Sequence, residues 1–176
     1  MTAITDTIIA ELVNAFPAIR PARFPLLVNS VSGDEPRAVQ TDFADKDDWT
    51  KLRSEWLDTS PNGLGTALCF LSDEAIRFYI PAYLVADLIG SLRCVDPVDT
   101  LVHGLESTSH DQKIWPRKDA TWTESAHARW GGLTQLQAMA IVHYLEWRAG
   151  RDTLGVDRGI SEALTCYWYG RAAIGQ

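Results

Sequence analysis

The chain is poor in cysteine, has no cluster of basic residues and contains no long apolar run, and each shortage removes a class of protein. Cys69, Cys94 and Cys166 are widely spaced and form no C-x-x-C pair. Neither a disulfide framework nor a cysteine zinc site is signalled, and the three thiols are expected as buried small hydrophobes in a reducing compartment. Lys and Arg number 16 against 23 Asp and Glu, for a formal charge of -7. A general nucleic-acid binder needs clustered cations to displace phosphate counterions, so that class is set aside. No apolar run approaches the ~20 residues that span a bilayer, and the first residues lack the positive start of a secretion signal. The expectation is a cytoplasmic protein without a membrane segment.

Catalytic signatures are also missing. Gly63-x-Gly65 lacks the third glycine and the G-K-[ST] ending of a phosphate-binding loop. There is no G-x-S-x-G turn, and no cysteine sits in a recognisable histidine motif. Glu124-x-x-His127 has the i, i+3 spacing that puts a carboxylate and an imidazole on one helical face, but dimetal bundles need two such pairs and two further glutamates. This chain has one copy, plus His143-x-x-Glu146 in reverse order. No catalytic residue, metal ligand or cofactor is assigned. His143 shares a helical face with Leu136, Met139, Ala140 and Trp147, and is expected as a hydrogen-bonded core histidine.

What is present is a globular composition, 46% hydrophobic and 22% charged, with seven tryptophans in 176 residues. Helical periodicity recurs along the chain. Thr5 can cap a first helix with Ile8, Ile9, Leu12, Val13 and Phe16 on its apolar side, ended by Pro17; Pro17, Pro21 and Pro25 then space out a segment leading to a short strand or irregular loop at 26–36. In the next helix Asp47 or Asp48 is the cap, and Trp49, Leu52, Arg53 and Trp56 share a face, with the arginine stem on the rings. Asp96 and Pro97 read as a cap and first helical position. A short helix is expected near 124–130 within the irregular stretch 107–132, which also holds Trp115 and Trp122. Thr134 and Gln137 form a capping box for a helix that stops at Gly150, and a last helix groups Leu164, Tyr167 and Trp168 on one side. The fold class is all-α: a single-domain bundle over 1–176 of about six helices, the central one kinked by proline.

That central helix is "CFLSDEAIRFYIPAYLVADLIG", residues 69–90. Ser72 can accept from first-turn amides, Asp73 and Glu74 favour the positive end of the helix dipole, and Leu71 can staple to Ile76. Ile76, Ile80, Tyr83, Leu84 and Leu88 make one apolar face, and Phe78, Ala82, Val85 and Ile89 make another, the pattern of a helix in the middle of a domain. Pro81 predicts a kink near 77–81 or a restart of the helix. If Arg77 pairs with Asp73 or Glu74 the segment is architectural. If it points into a cavity beside the kink, Arg77, Tyr79 and Tyr83 become ligand-binding candidates of an enzyme or small-molecule-binding protein.

The same segment carries a resemblance. Ala67, Leu68, Phe70 to Ser72, Glu74, Ala75, Arg77 to Tyr79 and Pro81 to Leu84, followed by Leu133, Thr134, Gln137, Tyr144, Leu145 and Glu146, resemble an uncharacterised bacterial family of small proteins with an A-L-x-F-L-[ST]-x-E-A-x-R-[FY]-[YF]-[LI]-P-A-[FY]-L core. The resemblance covers about residues 45–170 and implies no activity. Small acidic bacterial proteins often serve as immunity or antitoxin partners, an analogy that names a function class. Residues 34–58 hold eight acidic side chains against four basic ones, so a non-enzymatic module that binds a protein, such as a basic toxin domain, would use Asp45, Asp47, Asp48 and the ring of Trp49. Seven tryptophans leave room for an exposed aromatic patch at which two copies pair as a homodimer.

Overall fold

The computed structural model of the chain describes residues 3–22, 26–114, 119–151 and 159–173. Pro25 and Trp115 lie outside these residues. The described part is helical, with no strand among its residues, only isolated antiparallel bridges such as Val28 to Leu71. It divides into two compact units, 1–97 and 98–176.

In the first unit α1 is Ala3–Ala15, α2 Asp34–Phe43, α3 Ser54–Thr59, α4 Ala67–Phe70 and α5 Asp73–Leu88. Thr5, expected as the first cap, lies inside α1 and is buried with Ile8 and Leu12, while Val13 of the predicted apolar side is 47% exposed. The centre is α5, packed against α1, α3 and the turn at Trp49–Lys51. Ser72 caps it by accepting from the Ala75 amide at 3.1 Å. Eleven of its sixteen residues are buried, on both faces, as a helix apolar all round requires. The helix continues through Pro81 rather than breaking into two.

The predicted helix over 47–59 becomes two elements. Asp48 accepts from the Thr50 amide at 3.0 Å and caps a single 3-10 turn, Trp49–Lys51. Leu52 and Arg53 are then extended before α3 begins, so Trp49 and Trp56 do not share a face. Trp49 is 3% exposed and its indole N–H donates to the Pro17 carbonyl at 2.8 Å. After α3 the chain turns tightly at Gly65, φ +66, where a Cβ would lie 2.6 Å from the Asp58 carbonyl oxygen. Only glycine fits there without displacing backbone.

The second unit begins within α6, Pro97–Val102, which starts at Pro97 as the sequence predicts. A capping box not anticipated from the sequence joins Thr121 and Glu124 at the start of α7, Trp122–Trp130. The predicted capping box forms too, with Thr134 and Gln137 exchanging bonds at the start of α8, Gln135–Ala149. α8 packs against the last stretch, α9 Ile160–Ala163, a π turn Leu164–Trp168 and α10 Tyr169–Ala173. Leu164, Tyr167 and Trp168 are buried together as expected. The inward face of α8 differs from the expected one: Ala138, Ile141, Tyr144 and Leu145 turn inward, whereas Leu136 is 63% and Met139 37% exposed, and His143 is half-buried rather than in the core. With apolar residues on both sides, the sequence of this helix is too weakly amphipathic to choose a side. The thiols are a second correction, since Cys69, Cys94 and Cys166 are all exposed.

Candidate functional site

The acidic segment is organised by Arg20, a residue that no sequence pattern marks. The bridge between Ile19 and Asp48 sets the chain 18–20 beside 47–49, with the Arg20 amide donating to the Asp47 carbonyl at 2.7 Å and the Trp49 amide to that of Ala18 at 3.2 Å. From there the guanidinium, 14% exposed, donates to the Phe43 and Ala44 carbonyls at 3.3 and 2.8 Å and ion-pairs with Asp47. A cation at these carbonyls both satisfies and electrostatically complements the C-terminal end of α2.

Tyr79 closes the same network from α5. Its hydroxyl donates to the Lys46 carbonyl at 2.7 Å and lies 3.4 Å from the Arg20 guanidinium. Burial pushes the phenol up to about 12, with Arg20 opposing. Tyr83, one turn on, is also fully buried, but its hydroxyl has no hydrogen-bond partner among the described residues, and burial raises its pKa further. Arg77 reaches Glu74 at 3.4 Å. The three candidates for a pocket beside Pro81 are therefore two rings at 0% exposure, which no solvent-borne ligand touches in this state, and an arginine ion-paired along its own helix.

The two tyrosines give opposite expectations for one substitution. Tyr79→Phe should cost about 1–2 kcal/mol, because it leaves the Lys46 carbonyl without its donor, while Tyr83→Phe should be neutral or stabilise by up to ~1 kcal/mol, because it removes an unsatisfied hydroxyl. Urea titration of the pair reads this, and equal effects would contradict the assignment. The Tyr79 contribution also has a pH signature. A phenol raised above its ordinary value of about 10 loses its proton first in the unfolded chain, so this stability is intact below about pH 10 and is lost as pH rises towards 12.

Around this support lies an open groove of about 750 Å³, lined by Asp45, Lys46, Asp47, Asp48, Leu52 and Trp56 among others. Of the four partner-binding candidates, the structure brings the three aspartates to this groove and takes Trp49 away from it. Trp56 supplies the ring instead: half-buried, it packs on Phe43 at 4.9 Å between centroids and lies beneath the Lys46 ammonium at 5.4 Å. The carboxylates are paired. Asp45 pairs with Lys46, Asp47 with Arg20, Asp48 with Lys51 at 3.0 Å and Glu55 with Arg53 at 3.7 Å. The Lys46 hydrogen bond and charge hold Asp45 below the usual carboxylate range, and the Thr50 hydroxyl, then Lys51, do the same for Asp48.

Asp58, one of the eight acidic residues of 34–58, belongs to the core rather than to the charged surface. It is 7% exposed, and one carboxylate oxygen accepts the successive amides of Arg93, Cys94 and Val95 at 3.0, 2.8 and 3.0 Å.

In the second unit, Glu124 is used in its capping box and His127 stacks on Tyr167 at 4.8 Å, so that i, i+3 pair serves packing. Among the described residues no three His, Cys, Asp or Glu side chains gather as a metal site. A groove beside His103 is rimmed by Glu106 and Glu162, but both carboxylates already accept from Thr108, Ser109 and Ser107. No described helix is long and apolar enough to cross a membrane.

No curated protein and no solved structure matches this chain. A family model does, over residues 30–172, a span that takes in the acidic groove, all of α5 and both capping boxes; the chain belongs to this family of unknown function, DUF6714.

Proposed function

We propose that the protein is a binding module rather than a catalyst, and that it docks a basic protein partner on the Trp56 groove in the manner of an immunity or antitoxin-like protein neutralising a toxin domain. A bacterial, cytoplasmic setting is part of this proposal: its bacterial part rests on the motif resemblance, and its cytoplasmic part on three cysteines without a disulfide pattern. The observation that carries the reading is a half-buried tryptophan lining an open groove together with Asp45, Asp47, Asp48 and Glu55 and the cations that pair with three of them. A fixed aromatic surrounded by polar groups is the usual make-up of an energetic centre in a protein interface. The net charge of -7 adds a long-range field that attracts a basic surface.

The geometry also selects the test. Asp47 holds Arg20, and Asp48 caps the 3-10 turn, so neutralising either disturbs the fold. Asp45 and Glu55 are 78% and 76% exposed and can be changed without that cost. With the chain as bait and its recovered basic partner purified, Asp45→Asn with Glu55→Gln should slow association at low salt by about two- to fivefold and leave dissociation nearly unchanged, as rim charges do. An on-rate indifferent to both the substitutions and the salt concentration would sink the proposal.

A further inference from the structure

We infer that the Trp56 groove is a receptor for one cationic side chain, an arginine or lysine of the partner, and that Lys46 occupies it as a placeholder until that side chain arrives. The inference takes the source of the cation from the protein-binding reading, while the receptor itself stands on the geometry. An ammonium already occupies the position: Lys46 Nζ lies 5.4 Å from the centroid of Trp56, beside the Asp45 carboxylate, and the lysine side chain is only 29% exposed. The pairing of an indole face with a carboxylate is the chemistry that selects a cation, the ring through its quadrupole and the acid through its charge.

The receiving surface is held in place from below. Trp56 tilts against Phe43 at 4.9 Å, and Phe43 meets Tyr79 edge-on at 4.8 Å, within the bonded network of Arg20. The occupant is held differently. Lys46 is paired with its own sequence neighbour on a flexible stem, and Asp45 is 78% exposed, so an incoming guanidinium can take over both the ring and the carboxylate while Lys46 swings into water. Four carboxylates line the groove against Lys46, Lys51 and Arg53, so once Lys46 leaves, the charge balance favours a cationic occupant, and a guanidinium adds the ability to stack flat on the indole.

The test separates this site from the wider protein-binding function. Acetyl-arginine amide, acetyl-lysine amide and the neutral isostere acetyl-citrulline amide are titrated into the full-length chain, and the tryptophan indole N–H resonances are followed by NMR. Both cations should shift one resonance, the one missing in Trp56→Phe, and citrulline should bind at least about fivefold more weakly, the size of one partly desolvated cation–π contact. Lys46→Ala should tighten arginine binding about threefold or more, because a competitor for the site is gone. Asp45→Asn should weaken it, and both variants change exposed or flexible side chains, so the test survives if ring substitutions unfold the protein. Equal binding of citrulline, a shift at another tryptophan, no saturable binding, or Lys46→Ala that leaves affinity unchanged or lower would each overturn the inference. If the arginine probe behaves as expected but the chain captures no basic protein, the cation receptor stands and the protein-binding reading falls. A salt-dependent protein complex that ignores Lys46→Ala does the reverse: the protein-binding reading stands and the receptor falls.

Discussion

Replacing Asp58 with alanine should destabilise the protein by about 3 kcal/mol or more, although the side chain lines neither the Trp56 groove nor the groove beside His103. The basis is a count of donors. One carboxylate oxygen accepts three successive backbone amides from 93–95, and the side chain is 7% exposed. Truncation leaves all three without their partner, and an unmade bond in a part-buried setting costs about 1–3 kcal/mol, offset where the exposed Arg93 and Cys94 admit water. Asp58→Asn keeps an acceptor but removes the charge that makes such bonds strong, and should cost about half as much. The pH dependence distinguishes the two variants from a generic loss of packing. Burial pushes the Asp58 carboxyl up, but the three amides outweigh it and hold the group below its ordinary value. The unfolded chain therefore takes up the proton first. The contribution is fully present above about pH 4 and is lost as pH falls through the folded value, so the wild type and the asparagine variant should converge in urea midpoint towards acid pH. A constant gap from pH 7 to pH 3 would show that the charge is not what holds residues 93–95.

Asp58 also shows what the sequence can and cannot disclose. Signals made within three or four residues are legible: Ser72 ahead of α5, the Thr134 and Gln137 exchange, Pro97 at the start of α6, the stop at Gly150. Each is an interaction between near neighbours, so spacing alone specifies it. The acidic character of 45–48 is visible for the same reason. The Asp45–Lys46 and Asp48–Lys51 pairs are local too, but the pairing of Asp47 is not, because Arg20 comes from outside the segment and meets the Phe43 and Ala44 carbonyls across 23 and 24 residues and Tyr79 across 59. Such contacts are set by how the elements pack and leave no periodic trace.

The differences between expectation and structure have another cause. Trp49, Leu52 and Trp56 fit one helical face only if the helix is continuous, and the extended residues 52–53 break it; one ring then goes to the core and the other to the groove. The helix α2 begins at the end of the stretch 26–36, where the sequence suggests strand or loop, and continues through 37–43, where no element is expected, although Asp34, Glu35 and Pro36 lie in its first turn and Val39 and Phe43 follow at i, i+4. Those signals are present, and the preceding proline-rich and glycine-containing stretch masks them. The charge count of 34–58 is correct as arithmetic and misleading as electrostatics, since it treats Asp58 and Asp45 alike when one lies in the core and the other in water.

Trp168→Ala should have the largest effect of any single tryptophan change, about 5 kcal/mol, the whole stability of a domain at the low end of the common range of about 5–15 kcal/mol. The ring is 0% exposed, lies against Trp130 and Tyr167 at 5.5 and 5.3 Å between centroids, and donates its indole N–H to the Leu101 carbonyl at 3.1 Å. Deleting it opens a large cavity and strands that carbonyl, two costs that add because one is volume and the other an unmade bond. Trp147→Ala is the internal control. That ring is half-buried and, among the described residues, meets Arg151 at 5.0 Å and Tyr144 at 6.1 Å, so its loss should cost about 1 kcal/mol. If Trp168→Ala is too unstable to purify, replacement by phenylalanine resolves the hydrogen bond from the packing. Trp130 is equally buried, but its indole N–H has no partner among the described residues. Trp168→Phe should therefore cost about 1 kcal/mol more than Trp130→Phe, the worth of one buried bond. Equal urea midpoints for the two phenylalanine variants would mean that the bond to Leu101 contributes nothing, and that Trp168 acts through its volume alone.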